Sequence, residues 1–430
     1  MTALVLKSPR RQKAASKEPF LNRRRLRYAL WSALALWVTW MISVILGPVI
    51  STGHVDMAGQ RIGNDLSHFY AAGLTVRTGN AEKLYDIGYQ FALQAKIIGT
   101  TETGFSAFLT PPFHALTYVP LTYLSYPVAF IVLSAVGLAL FWLALKLIGA
   151  DMKKSLPWAL SFFPVFATVS FGQNAFLSMA ILAGTYALWR ARKLVLAGLL
   201  LSCILYKPQL ALGVAGLWTL QWRKDWRALA GLAAGAGVFS AICFVFMPEA
   251  SRSYMTFSQD VLPKLVLWSE PSVWHMHTVR NFFELLVGYG MLANILAALV
   301  GLGAIAGFIR YRMAFAANPA MTYAGAIVLT MLITPHGLVY DWIVLLIPAL
   351  LLWQERPADR PFLTQIYAAL WIVIWFAGPL TSGQLYFSDH VLQISVPVLL
   401  VAVAKMWRHL LNPPAPESAN ATLDAQPAAA

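Results

Sequence analysis

Short polar motifs interrupt an otherwise apolar chain, and each holds a residue type that can do chemistry. The first is Asn64-Asp65-Leu66-Ser67-His68-Phe69-Tyr70-Ala71-Ala72-Gly73. A carboxylate such as Asp65 can take a proton from a hydroxyl as a general base. It can equally be the N-cap of a helix starting at Leu66, with His68 three positions on. Leu66, Phe69, Tyr70 and Leu74 would then share one face. Gly172-Gln173-Asn174 carries two amides able to bind hydroxyls or a phosphate, beside a glycine that permits close backbone approach. It also reads as a plain polar turn. Lys207-Pro208-Gln209 puts a cation inside a long apolar stretch, where it is costly unless paired or wetted. The proline bends the chain there. Such a lysine suits an anionic group such as a phosphate, or it snorkels to the interface.

Two later motifs complete the set. In Trp274-His275-Met276-His277-Thr278-Val279-Arg280-Asn281 the two histidines have no acidic or cysteine partner nearby, so no metal site is expected. Arg280 can pair with a phosphate, or can belong to an interfacial belt of aromatic and cationic residues. Thr334-Pro335-His336-Gly337 breaks another apolar run, and Tyr340-Asp341-Trp342 follows. His336 and Tyr340, four apart, share a helical face. Asp341 is an acid at the start of an apolar run. It is either functional, with Lys207 or Arg280 as its partner, or a cap or structural ion pair. Leu84-Tyr85-Asp86 opens an amphipathic stretch and reads as structural.

These residues need elements to hold them, and the composition says what kind. Of 430 residues 59% are apolar and 12% charged, about half the charged share of a soluble domain. Mean hydropathy is +0.63. A soluble enzyme, a disordered chain and a fibrous protein are excluded; the expected solvent is lipid. The net charge of +14 then reflects basic loops beside a membrane rather than a nucleic-acid partner. Cys203 and Cys243 lie in apolar runs, so no disulfide framework is expected.

The expected fold is an all-α polytopic membrane protein with about twelve transmembrane helices. The first is Tyr28–Ile50, uncleaved, after a basic cytoplasmic segment 1–27. Others are expected at Tyr126–Leu145, Leu156–Ser170, Gln173–Trp189, Leu194–Tyr206, Pro208–Gln221, Ala228–Met247, Phe282–Ile309, Pro319–Thr334, Gly337–Trp353, Phe362–Leu380 and Val391–Trp407. This threading puts 24 of the 32 Lys/Arg in cytoplasmic segments, together with both termini. Phe108–Leu124, broken by Pro111, Pro112 and Pro120, is expected to be re-entrant or interfacial. The transmembrane domain then covers 28–407, with two large outer loops, 51–125 and 248–281, carrying interfacial helices. The Pro/Ala-rich tail 408–430 is expected to be cytoplasmic and disordered. No internal repeat appears, which argues against a transporter.

In order and setting, these motifs resemble glycosyltransferase family 87, the polyprenol-phosphate-mannose-dependent mannosyltransferases with the GT-C fold. The resemblance spans roughly Tyr28 to Trp407 and rests on Asn64-Asp65, Phe69-Tyr70-x-Ala72-Gly73, Leu84-Tyr85-Asp86, Pro111-Pro112, Pro120-Leu121, Gly172-Gln173-Asn174, Lys207-Pro208-Gln209 and Pro335-His336-x-x-x-Tyr340-Asp341. It implies an inverting transfer of mannose or another hexose from a polyprenyl-phosphate donor to a hydroxyl of a lipid-linked or surface glycan. The reaction would lie on the periplasmic or outer face of the plasma membrane. Asp65 matches the position of the catalytic base. Lys207, Arg280, His336 and Gln173 would bind the donor phosphate, and Asn174, Gln209, Tyr70, Tyr340, Asp341 and His68 the substrates. The implied partners are the sugar donor, a glycan or glycolipid acceptor and membrane lipid. No cofactor and no metal is expected, because protein cations can neutralise a monophosphate leaving group. The competing readings are a flippase or transporter of lipid-linked sugar and a surface polysaccharide polymerase or ligase.

Overall fold

The computed structural model describes residues 23–101, 103–261, 276–388 and 390–412. The expectations for the basic segment 1–22, for Trp274 and His275, and for a tail beyond 412 lie outside the described residues. Within them the secondary structure is helical, with two isolated bridges, Val55 to Arg61 and Met276 to Leu338. Five helices are long and apolar enough to cross a membrane: Arg27–Ile50, Tyr126–Leu147, Trp222–Phe246, Met291–Ala314 and Pro357–Gln384. Only 11–28% of each apolar window is buried within the protein. Apolar surface turned outward on helices of this length suits lipid and not water.

The remaining expected spans are shorter or interrupted. Leu156–Ser170 is two helices, Met152–Ser161 and Phe163–Ser170, parted at the extended Phe162, with Pro164 in the first turn of the second, where its missing N–H costs nothing. Phe282–Ile309 is likewise not one helix: Val279–Val287 ends at Gly288 and Met291–Ala314 starts after Gly290, both at positive φ. Leu194–Ser202 stops short of Lys207, and the chain resumes as a 3₁₀ turn, Pro208–Ala211, before Leu212–Leu220. The helix expected from Ala228 begins at Trp222, so Arg223–Arg227 is helical and not a loop. Segment 108–124 contains two five-residue helices, Pro112–Leu116 and Val119–Tyr123.

Packing is close where side chains are small. Leu194–Ser202 lies against Trp222–Phe246, and a Cβ on Gly198 would collide with the Ala228 carbonyl oxygen. Small residues let backbones approach in lipid, where dispersion rather than water drives association. Segment 51–125 has a core of its own, in which Leu66, Phe69, Tyr85 and Phe108 pack with Met247, at the end of Trp222–Phe246, and with Ala250 and Phe257 just beyond it.

Two polar ends result. Ala175–Arg190 has 16 residues and rises about 24 Å, less than the roughly 30 Å hydrocarbon core. Asn174 stands at one end and Arg190 at the other. Leu212–Leu220 similarly separates Lys207 from Gln221, and Pro319–Ile333 separates His336 from Asn318. The polar motifs therefore gather at one end of the bundle. The basic segments around Arg192, Arg227 and Arg312 gather at the other. There Asp225, fully buried, accepts from Trp189, Arg192 and Gln221.

Candidate active site

Asp65 is set by a backbone docking. Gly172 has φ +65°, and a Cβ there would lie 2.8 Å from Leu66 Cβ and 3.2 Å from Gly63 Cα. Only glycine allows that approach in that conformation. The turn is pinned by the Asp65 N–H, which donates to the Phe171 carbonyl at 2.8 Å. Gln173, next in the chain, is thereby brought onto Asp65: its Nε2 donates to Asp65 Oδ2 at 2.7 Å and to the Tyr340 hydroxyl at 2.9 Å. Asp65 precedes the helix Leu66–Arg77, but its side chain makes no capping bond. Its own backbone is already helical (φ −83°, ψ −22°), so the carboxylate points away from the N–H groups it would cap. Asp86, by contrast, does cap Ile87–Ile98 through the Tyr89 N–H.

A buried ion pair stands on the other side of Tyr340. Lys207 Nζ lies 2.7 Å from Asp341 Oδ1, with the two side chains 12% and 2% exposed. The same ammonium sits 4.8 Å from the Tyr340 ring centre, and Asp341 Oδ2 accepts the Leu338 N–H. Lys207 is thus paired with the acid and not extended toward the interface. A continuous chain runs Asp65, Gln173, Tyr340, Lys207, Asp341. Gln209 donates to the His336 carbonyl at 3.3 Å, which ties the Lys207 turn to the His336 loop.

Charge in this recess is tuned by burial. Desolvation raises the pKa of Asp65 above the ordinary carboxylate value; Gln173, Lys207, Arg61 and Tyr340 pull it back in part. Burial pushes His68 down to about 3, helped by Arg61 and Lys207, so its imidazole is neutral. Burial also lowers His336, against the pull of Asp341.

A stability prediction follows from the Asp65 direction. A carboxyl whose folded pKa is raised contributes stability fully present below its unfolded pKa and lost as pH rises through the folded value. Asp65→Asn removes that loss. The variant should therefore unfold at higher temperature than wild type at neutral pH, with the gap closing as pH falls below the ordinary carboxylate value. Thermal unfolding at several pH values checks this; a wild type more stable at neutral pH would mark Asp65 as a structural anion.

Not every candidate joins the group. The Tyr70 hydroxyl donates to the Leu124 carbonyl at 2.7 Å, within the core of segment 51–125. Five residues beyond Asp65, it leaves the helix on a different side. Arg280 gives its Nε to Glu284 at 2.8 Å and reaches the site only through its charge on His336. His277 bonds Ser395 and its carbonyl accepts from Trp342. Residues not foreseen also appear. Arg61, buried, donates to Ser67, Gln94 and Ser106 and places positive charge behind Asp65. His114 and Tyr118 surround Asn174. A histidine inside a proline-broken apolar run was the available signal for His114; Arg61, in a glycine-containing linker, carried none.

Fold and site together define a helical membrane protein with a recessed acid–cation group at one end of its bundle. Residues 108–335, more than half the chain, match glycosyltransferase family 87, and the protein belongs to that family. It is a glycosyltransferase and therefore handles a sugar donor and an acceptor. His114, Gln173, Asn174, Lys207 and Arg280 lie within the matched residues; Asp65, His336, Tyr340 and Asp341 lie outside them. No curated protein and no solved structure matches the chain.

Proposed function

We propose that the protein is an inverting GT-C glycosyltransferase of the plasma membrane. It moves mannose or another hexose from a polyprenyl-phosphate donor to a glycan or glycolipid hydroxyl on the outer face. The observation that carries this is Asp65, a half-buried carboxylate free of capping and joined through Gln173 and Tyr340 to the Lys207–Asp341 pair.

In this reading the acceptor hydroxyl gives its proton to Asp65 as its oxygen attacks the anomeric carbon. The bond from that carbon to the phosphate oxygen breaks on the opposite face. Polyprenyl phosphate leaves with the electron pair and gains charge near Lys207. The raised pKa of Asp65 makes it a stronger base than an exposed aspartate. Lys207, with three N–H donors and one given to Asp341, keeps donors for the phosphate. Arg280, near enough to act on His336 through its charge, adds positive potential there. In this reading the short helix Ala175–Arg190, about 24 Å long against a hydrocarbon core of roughly 30 Å, leaves the reacting end within reach of a lipid phosphate.

The test is transfer by purified protein from radiolabelled polyprenyl-phosphate mannose or glucose to an extracted glycolipid acceptor. Product with inverted anomeric configuration is expected. Movement of intact donor across vesicles without transfer would favour a flippase. The face is tested separately: with outside labelling, Thr101→Cys should react and Ala191→Cys should not, both positions being exposed. The reverse pattern would put the site on the cytoplasmic face.

A further inference from the structure

Beside Asp65 lies a second buried polar group that the displacement above does not use. His114 is fully buried, with Nδ1 2.8 Å from Thr110 Oγ1 and Nε2 3.2 Å from Asn174 Nδ2 and 3.4 Å from the Tyr118 hydroxyl. Its ring stacks on Tyr206 with centroids 4.4 Å apart. Asn174 Nδ2 also lies 3.1 Å from the Tyr118 hydroxyl. Two buried atoms here have no partner: Asn174 Oδ1 and His68 Nδ1. Both residues are more than nine-tenths buried.

The proton count fixes the arrangement. Burial keeps His114 neutral, so it carries one N–H. With that proton on Nδ1 it donates to Thr110, and Nε2 accepts from Asn174. The second Asn174 N–H then goes to Tyr118, and only one acceptor, Oδ1, is left over. With the Asn174 amide turned round, two N–H donors would be stranded instead, which is worse. Buried polar groups in native proteins normally have partners. An unpartnered carbonyl oxygen and an unpartnered imidazole nitrogen, one next to Gln173 and one on the helix after Asp65, are available to a polar ligand group. A sugar hydroxyl can donate to the Asn174 oxygen, and can donate to or accept from His68 Nδ1 according to the ring's tautomer.

We propose that Asn174 and His68 form a subsite for hydroxyls of a sugar ring, and that His114 is the positioning residue that keeps Asn174 Oδ1 turned toward it. This rests on the glycosyl-transfer reading. The sugar can be that of the donor or that of the acceptor.

The test compares His114→Asn with His114→Gln. Glutamine reaches the Nε2 position and can still accept from Asn174; asparagine reaches only the Nδ1 position. Binding is measured with short-chain polyprenyl-phosphate mannose, with the bare polyprenyl phosphate and with methyl mannoside. His114→Asn should weaken the sugar-bearing lipid roughly tenfold, the loss of one hydrogen bond. His114→Gln should recover most of it, and bare polyprenyl phosphate should bind all variants alike. Loss confined to methyl mannoside would assign the subsite to the acceptor. Equal loss for bare and sugar-bearing lipid, or no loss with any probe, would overturn the subsite and leave a structural cluster. If His114→Asn does not fold, Asn174→Ser removes the acceptor itself and is read by the same comparison. Should wild type bind none of the three, the glycosyl-transfer reading fails, and the subsite with it.

Discussion

Asp65→Asn should lower sugar transfer by about 10²- to 10⁴-fold, the usual contribution of a general base, with donor affinity near wild type. Three other acids near this end are already committed. Asp56 accepts from the backbone of Ala58 and Gln60, Asp86 caps its helix, and Asp341 is held by Lys207 and the Leu338 N–H. Asp65 alone of these four has its side chain on Gln173 and Tyr340, without backbone N–H groups to satisfy. Asparagine keeps the size and still offers Oδ1 to Gln173, so the site keeps its shape but cannot take the proton. The measurement is turnover and donor binding on the same purified variant. Wild-type transfer by Asp65→Asn would remove Asp65 from the mechanism, and Asp86→Asn and Asp341→Asn would be tested in its place.

The inventory of this site was legible because polar residues are expensive in an apolar chain and so stand out. Gln173, Lys207, His336, Tyr340 and Asp341 are visible on that ground; Asp65, in a linker that also holds Asp56, Arg61 and Asn64, stands out only through its place in the motif resembling the family's. Their mutual contacts are not. Gln173 meets Asp65 across 108 positions and Lys207 meets Asp341 across 134, and no periodicity carries such pairings. The role proposed for Asp65 rests on one pair of backbone angles: its helical conformation leaves the carboxylate without a capping bond. Helix ends failed for a related reason. Gly288 and Gly290 split an apolar run that hydropathy alone joins, and Trp222 starts a helix inside a basic segment. Hydropathy reports the solvent around a segment; breaks and starts are decided by local backbone geometry.

The Lys207–Asp341 pair gives the other large effect, and it separates fold from function. Removing one member of a buried pair strands the other charge and costs about 3–5 kcal/mol. Lys207→Met and Asp341→Asn should each destabilise the protein on that scale. The double variant strands no charge and should recover most of the stability, since replacing a buried pair by neutral groups is often close to neutral. Donor binding should behave differently. If Lys207 also holds the donor phosphate, the double variant loses a charge-assisted bond worth about 1.5–3 kcal/mol, a drop of roughly ten- to more than a hundredfold in affinity. Lys207→Arg keeps the charge and should lose less than Lys207→Met, although a planar guanidinium fits the space beside Tyr340 less well. Thermal unfolding and donor titration on the four variants read the two effects apart. A double variant that regains both stability and donor affinity would reduce Lys207 to a counter-ion for Asp341 and move the phosphate to Arg280 and His336.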